Sequence, residues 1–148
     1  MYLEREDYYS LISREDLEAA LLQSEAQLER IERMACDEVS SYLRRKYRIA
    51  SEFARTGDDR NDNLVRITLD VALYHLFTAL PGRITDEDVR RIRYLDAIKW
   101  LVSVRDSDND PGIPSLSDPN PDGTDPEQNP EMFQSVRWGS MPRNENTY

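Results

Sequence analysis

The first 47 residues of the chain place apolar side chains at the three- and four-residue steps of amphipathic helices. A short helix is predicted over residues 14–23, because Ser13 can cap its start and Asp16 follows three positions later. A longer helix is predicted after Ser24. The predicted inward stripe of the longer helix comprises Leu28, Ile31, Ala35, Val39, Tyr42 and Lys46, widened by Leu43 and Tyr47. Its predicted solvent face comprises Glu29, Arg30, Glu32, Arg33, Asp37 and Arg44.

Residues 64–80 carry apolar side chains on nearly every side, which is typical of a buried central helix. A short buried strand is the alternative, but the length of the segment favours a helix. Pro81 and Gly82 end it, and the acidic residues within positions 85–88 fit the first turn of another helix. For this last helix the predicted buried stripe comprises Val89, Ile92, Leu95, Ile98 (or Lys99) and Val102, with Tyr94, Trp100 and Leu101 alongside.

The composition changes sharply near Arg105. Residues 106–148 contain nine acidic residues, two arginines and seven of the eight prolines. Proline at this frequency interrupts helices and strands, and too few apolar residues are present to form a core. We therefore predict an all-α fold with two parts: a small helical bundle over residues 1–105, and a long, extended acidic arm over residues 106–148.

Five large apolar side chains cluster near the end of this acidic arm. Such groups are costly to leave in water on a polar segment, so they are interpreted as anchors for a partner surface. The alternative is a short hydrophobic flap that folds back on its own domain. The cluster comprises Met132, Phe133, Val136, Trp138 and Met141.

The formal net charge of −10 excludes sequence-independent binding to the DNA backbone, which needs clustered Lys and Arg residues. It does not exclude DNA passing nearby, because a negative wall repels phosphate. No apolar run approaches the roughly 20 residues that span a bilayer, and the N-terminal residues do not resemble a signal peptide. Cys36 is the only cysteine, which rules out an internal disulfide and fits a reducing cytoplasm.

Few residues suggest chemistry. His75, the only histidine, is interpreted as a satisfied core or interface residue, and Cys36 lacks any general base other than His75. The acidic run at 106–110 resembles a calcium loop, but Pro111 stands where that loop requires glycine and Ser117 where it requires glutamate. We therefore expect no catalytic residues, no metal and no cofactor.

Two basic runs stand out on this acidic chain. The stronger run comprises Arg44, Arg45, Lys46 and Arg48, and the second comprises Arg90, Arg91 and Arg93. Both runs could be solvated helix faces. The hypothesis drawn here is that they bind protein, for example the acidic arm of a neighbouring subunit, and the first run is counted among the predicted partner-binding residues with Phe133, Val136, Trp138 and Met141.

Four segments resemble one family of small phage proteins. They are MYLxREDY at residues 1–8, VSSYLRRKY at 39–47, DVALYHL at 70–76 and RYLDAIKWL at 93–101. In this order, over roughly residues 1–115, they resemble the head–tail connector (adaptor or head-completion) proteins of tailed phages, especially the Mu-like group. The motifs are helix-packing patterns, and the acidic stretch at 118–131 is longer than the resemblance leads one to expect.

The resemblance implies a structural virion protein rather than an enzyme. Connector proteins form rings, commonly of twelve copies, that join the portal to the tail or neck and let DNA pass without specific binding. The implied location is the virion neck, after synthesis in the host cytoplasm. Two alternatives remain: a helical adaptor or regulator that binds one partner through its tail, and a small hydrolase using Cys36 and His75.

Overall fold

The structure, a computed structural model, describes residues 1–21, 25–79 and 87–118. The chain divides into two compact units, Met1–Leu116 and Ser117–Tyr148, and only Ser117 and Asp118 of the second are described. The described residues contain helices and no strand, which confirms the all-α prediction, whereas residues 119–148 of the predicted arm lie outside them. The helices are α1 (Arg5–Tyr9), α2 (Arg14–Leu21), α3 (Glu25–Leu43), α4 (Ile49–Phe53), α5 (Asp62–Thr78) and α6 (Glu87–Arg105), with a 3₁₀ turn at Gly57–Asp59.

The central helix of the first unit is α5, as its sequence predicts. The Asn61 side chain caps it by accepting the Leu64 N–H at 3.0 Å. Helices α3 and α6 both pack against α5, and α1 contacts it as well. Because it is surrounded in this way, α5 buries side chains on several sides: Leu64, Ile67, Thr68, Leu69, Asp70, Val71, Ala72, Leu73 and Leu76.

The predicted start of α2 is confirmed, since Ser13 Oγ accepts the Asp16 N–H at 3.1 Å. Helix α3 ends at Leu43, so Lys46 and Tyr47 lie beyond the helix rather than in its inward stripe. The remainder of that stripe is confirmed for the buried residues Leu28, Ile31, Ala35, Val39 and Leu43, with Tyr42 half-buried.

The prediction that Glu32 faces solvent was wrong. Its residue surface is 2% exposed, and Tyr8 Oη donates a hydrogen bond to Glu32 Oε1 at 2.7 Å. The cause is tertiary, because α1 covers this position of α3 with a tyrosine whose hydroxyl satisfies the carboxylate. Burial raises the pKa of the Glu32 carboxyl, and the Tyr8 hydrogen bond opposes that rise.

The predicted buried stripe of α6 was also wrong. Val89, Ile92 and Leu95 are exposed, and Ile98 and Val102 are only half-buried. The side of α6 that faces the core instead presents Ala97, Leu101 and Val104, all almost fully buried. The sequence of α6 has apolar residues on two sides, and packing against α3 and α5 selects the side with the smaller side chains.

Residues 106–116 belong to the first compact unit. Helix α6 ends with Ser107 at a φ of 72°, where the Ser107 N–H bonds to the Val104 carbonyl and the Asp108 N–H bonds to the Ser103 carbonyl. The acidic run at 106–110 thus begins at the end of a helix, and its side chains are exposed. Beyond it, Ile113 is buried in the core.

None of the helices in the described ranges is both long and apolar enough to cross a membrane.

Candidate protein-binding surface

The stronger basic run lies immediately after α3 and is held by the last residues of the first unit. Tyr47 and Ser115 form an isolated antiparallel bridge. Beside it, the Leu116 N–H donates to the Lys46 carbonyl at 2.8 Å, and the Arg48 N–H donates to the Pro114 carbonyl at 2.9 Å. Hydrogen bonds therefore hold the backbone at Lys46 and Arg48, on either side of Tyr47, although this segment is not part of a helix.

The four basic side chains of this run differ in their surroundings. Arg44 and Arg45 are exposed, whereas Arg48 is half-buried at the start of α4. Lys46 Nζ donates to the Arg105 carbonyl and, at 2.6 Å, to Ser107 Oγ, so it binds the carboxyl end of α6. A cation at this position also interacts favourably with the helix dipole. The structure therefore gives Lys46 a role within its own chain and leaves Arg44 and Arg45 as the outward-facing pair.

The second basic run is divided in a similar way. Arg93 Nε donates to the buried Asp70 carboxylate at 2.7 Å, which joins α6 to α5. Arg90 donates to the Leu11 carbonyl at 3.2 Å and lies over the Phe77 ring. Both residues thus stabilise their own protomer, while Arg91 is exposed.

The outer side of α6 is apolar. Val89, Ile92 and Leu95 are 52%, 55% and 46% exposed, respectively. Their spacing of three residues places them in a row along two turns of the helix. Contiguous exposed apolar side chains mark interaction sites more reliably than single ones. We call Val89, Ile92 and Leu95 the α6 stripe.

His75 lies at the edge of the core in a polar cluster. Its Nε2 is 2.6 Å from Glu38 Oε2, and Tyr94 Oη donates to Glu38 Oε1 at 2.7 Å. Tyr74 stacks on Tyr94 with ring centroids 4.1 Å apart. Burial is the main cause that raises the pKa of the Tyr94 hydroxyl, and the hydrogen bond to Glu38 raises it further. The interpretation of His75 as a satisfied histidine is confirmed, and the cluster ties α3, α5 and α6 together.

Cys36 has the environment of a structural cysteine. It is half-buried, and burial raises the pKa of its thiol to about 11, with Glu32 and Asp37 contributing. A thiol with this pKa is protonated at neutral pH and is a poor nucleophile, which argues against the hydrolase alternative. Among the described residues, no group of three or more His, Cys, Asp or Glu side chains could hold a metal ion.

The sequence alone did not show that the α6 stripe is exposed, because its residues have the spacing expected of a buried helix face. The signal that could have found it is the second apolar row on α6, with Ala97, Leu101 and Val104. The predicted anchors of the acidic arm, Phe133, Val136, Trp138 and Met141, lie outside the described residues.

Comparison with protein families supplies the identification. The family model described as Bacteriophage Mu, Gp36 matches residues 2–129, which is most of the chain. The chain belongs to this family. It is thus a Mu-like phage protein, and the Gp36 match covers all the described helices together with most of the acidic stretch at 118–131. Comparisons with curated proteins and with solved structures found no match.

Proposed function

We propose that this Gp36 family member is a structural virion protein: a head–tail connector, or adaptor, subunit that assembles into a ring between the portal and the tail or neck. The observation that carries the proposal is the family match, together with two exposed surface features, the α6 stripe and the Arg44–Arg45 pair. A subunit of this kind needs surfaces for its neighbours and requires no catalytic site. The protein is accordingly proposed to act without catalysis and without a cofactor.

In the proposed ring, the basic run after α3 contacts protein. Arg44 and Arg45 are exposed; the Arg44 N–H bonds to the Ser40 carbonyl of α3, and the residues that follow the pair, 46–48, are held by bonds to residues 114–116. A fixed backbone lowers the entropy cost of binding, because only the side chains must be ordered. Acidic groups of a neighbouring subunit or of the portal are the partners of matching charge, and the nine acidic residues of the predicted arm provide such groups.

The net charge of −10 fits a passage for DNA. A duplex that moves through a ring must not be held there, and negative or neutral walls repel its phosphates rather than replace its counterions. We therefore expect the lumen to present acidic or neutral groups and the exposed arginines to face protein. The expected location is the virion neck.

Removing the predicted arm tests this proposal. Truncation after Leu116 retains the bonds that hold the basic run, so we expect a folded helical protein that no longer assembles. Replacing Phe133 and Trp138 by alanine in the full chain should weaken assembly by a few kcal/mol, as expected for aromatic anchors. The measurement is particle mass by light scattering, with circular dichroism to verify folding.

The result also separates the proposal from the adaptor or regulator alternative. A connector forms large homo-oligomers on its own, whereas an adaptor that uses its tail for one partner remains small until that partner is added. Full assembly by the truncated chain would contradict the arm's proposed role.

A further inference from the structure

The α6 stripe is the one place in the described residues where large, exposed hydrophobic residues follow one another along a helix. Six such residues are exposed; three of them, Met1, Met34 and Leu116, are separated in the chain, and the other three form the stripe. Single exposed apolar side chains are ordinary on protein surfaces, but a row of three on one helix indicates a binding site.

The size of the stripe restricts its occupant. Stable interfaces between folded subunits bury about 800 Å² on each partner, which is more than three partly exposed side chains on two helical turns provide. A short peptide with one or two large anchors fits such a patch better, because a few aromatic residues dominate the binding energy of an interface. The occupant inferred from size is therefore a segment rather than a second folded surface.

This chain contains a segment with the required chemistry. Within the otherwise polar residues 118–148, the large apolar side chains cluster at positions 132–141, and Phe133 and Trp138 are the aromatic residues among them. We propose that the α6 stripe binds this apolar segment, residues 132–141, from a neighbouring copy of the chain. The inference rests on the proposed ring, in which the arm of each subunit contacts another subunit.

Charge permits this pairing. Helix α6 contains five basic and three acidic residues, and two of the basic ones, Arg93 and Arg105, pair with Asp70 and Asp106 outside the helix. Residues 118–131, which precede the apolar segment, contain five acidic residues and no basic one. With those two pairs counted, the charge of α6 and its partners sums to about zero, so the helix does not repel an acidic segment.

Chain length permits the contact. The stretch from Leu116 to Met132 spans about 50 Å when extended, at 3.3 Å or a little more for each residue. Helix α6 has 19 residues and is about 28 Å long. The connecting stretch, when extended, is longer than α6, so its length does not confine residues 132–141 to the surface of their own protomer.

Binding of a labelled peptide tests the inference directly. The probe is a fluorescent peptide with the sequence of residues 128–143, and the acceptor is the full chain carrying F133A and W138A, so that the acceptor's own segment does not compete. We expect saturable binding by fluorescence anisotropy. The substitutions I92Q and L95Q in the acceptor should weaken binding at least about tenfold, because they remove apolar contacts from the stripe.

The matched control is M34Q, which replaces an equally exposed apolar residue on α3. Glutamine is a good helix former and all three sites are exposed, so folding should be preserved, as circular dichroism would verify. Unchanged affinity in the I92Q/L95Q variant would overturn the inference. An equal loss in M34Q would also overturn it, since the binding would then not be specific to the stripe.

Assembly of the full chain distinguishes this inference from the proposed function. If the wild-type chain assembles and the I92Q/L95Q chain assembles equally well, the stripe is not the site of the segment, although the connector proposal stands. If the wild-type chain remains monomeric while the peptide still requires the stripe, the segment binds its own chain, which overturns both the neighbouring-copy assignment and the ring. Loss of assembly in I92Q/L95Q together with loss of peptide binding is the expected result.

Discussion

Asp70 shows how one charged residue can be accommodated in the most apolar helix of the chain. Its side chain is 3% exposed, and Arg93 from α6 lies 2.7 Å from its carboxylate. Burial raises the pKa of Asp70, while the hydrogen bond and charge of Arg93 lower it. Arg93 therefore keeps the buried Asp70 carboxylate charged.

Replacing Arg93 by methionine should destabilise the fold. The change leaves the Asp70 charge buried with a weaker partner, Arg66 at 3.8 Å, so the free energy of unfolding should fall by about 2–4 kcal/mol. Urea unfolding measures the loss. K99M, on the exposed side of the same helix, is the control, because the Lys99–Asp96 pair lies in solvent, and it should change stability by less than about 0.5 kcal/mol. The double variant D70N/R93M should recover at least half of the loss, and no recovery would show that Arg93 acts through packing alone.

Glu32 should contribute a pH dependence of a definite sign. Burial raises its pKa above the ordinary value, so the folded protein takes up this proton at a higher pH than the unfolded chain does. Stability from this group therefore increases as pH falls through the raised pKa and becomes constant below the ordinary pKa. Relative to E32Q, the wild type should gain stability between pH 7 and pH 4. Thermal unfolding of both proteins across this range measures the difference, with E18Q, at an exposed site on α2, as the control.

At the scale of elements, the burial of α5 could be predicted from sequence. Its own side chains are apolar on nearly every side, so any packing arrangement buries it. The buried face of α6 could not be predicted, because the helix carries two apolar rows. Only the contacts with α3 and α5 decide which row is buried. Lys46 was assigned to the inward stripe of α3 by its spacing, but α3 ends at Leu43 and the side chain caps α6. Each of these failures concerns a contact between segments that are distant in the sequence.

Paired substitutions on α5 and α6 test this assignment of inner and outer faces. L73A removes a buried side chain and should lower the free energy of unfolding by about 2–5 kcal/mol. I92A removes an exposed one and should change it by less than about 0.5 kcal/mol in the unassembled protein. Hydrogen exchange should also show the strongest protection in α5. Equal losses in the two variants would restore the original prediction of a buried Ile92.

At the scale of the whole molecule, the proposed contact of the exposed arginines after α3 with another subunit predicts that assembly is sensitive to salt. If Arg44 and Arg45 contact acidic groups of another subunit, raising the ionic strength should weaken the ring, because the Debye length falls to about 8 Å at physiological salt. R44E/R45E should abolish assembly and leave the protomer helical, as checked by particle mass and circular dichroism. If the wild type instead binds duplex DNA tightly and this variant does not, the arginines bind nucleic acid, and the proposed contact with protein is wrong.

The central claim is that the full chain forms a closed ring without another protein. Class-averaged electron microscopy of the purified chain at low and at physiological salt, combined with native mass spectrometry, tests it most directly. We predict a closed ring of identical subunits, of twelve copies, with an open centre wide enough for a duplex of about 20 Å. A protein that stays monomeric under both conditions, at every concentration measured, would contradict the account.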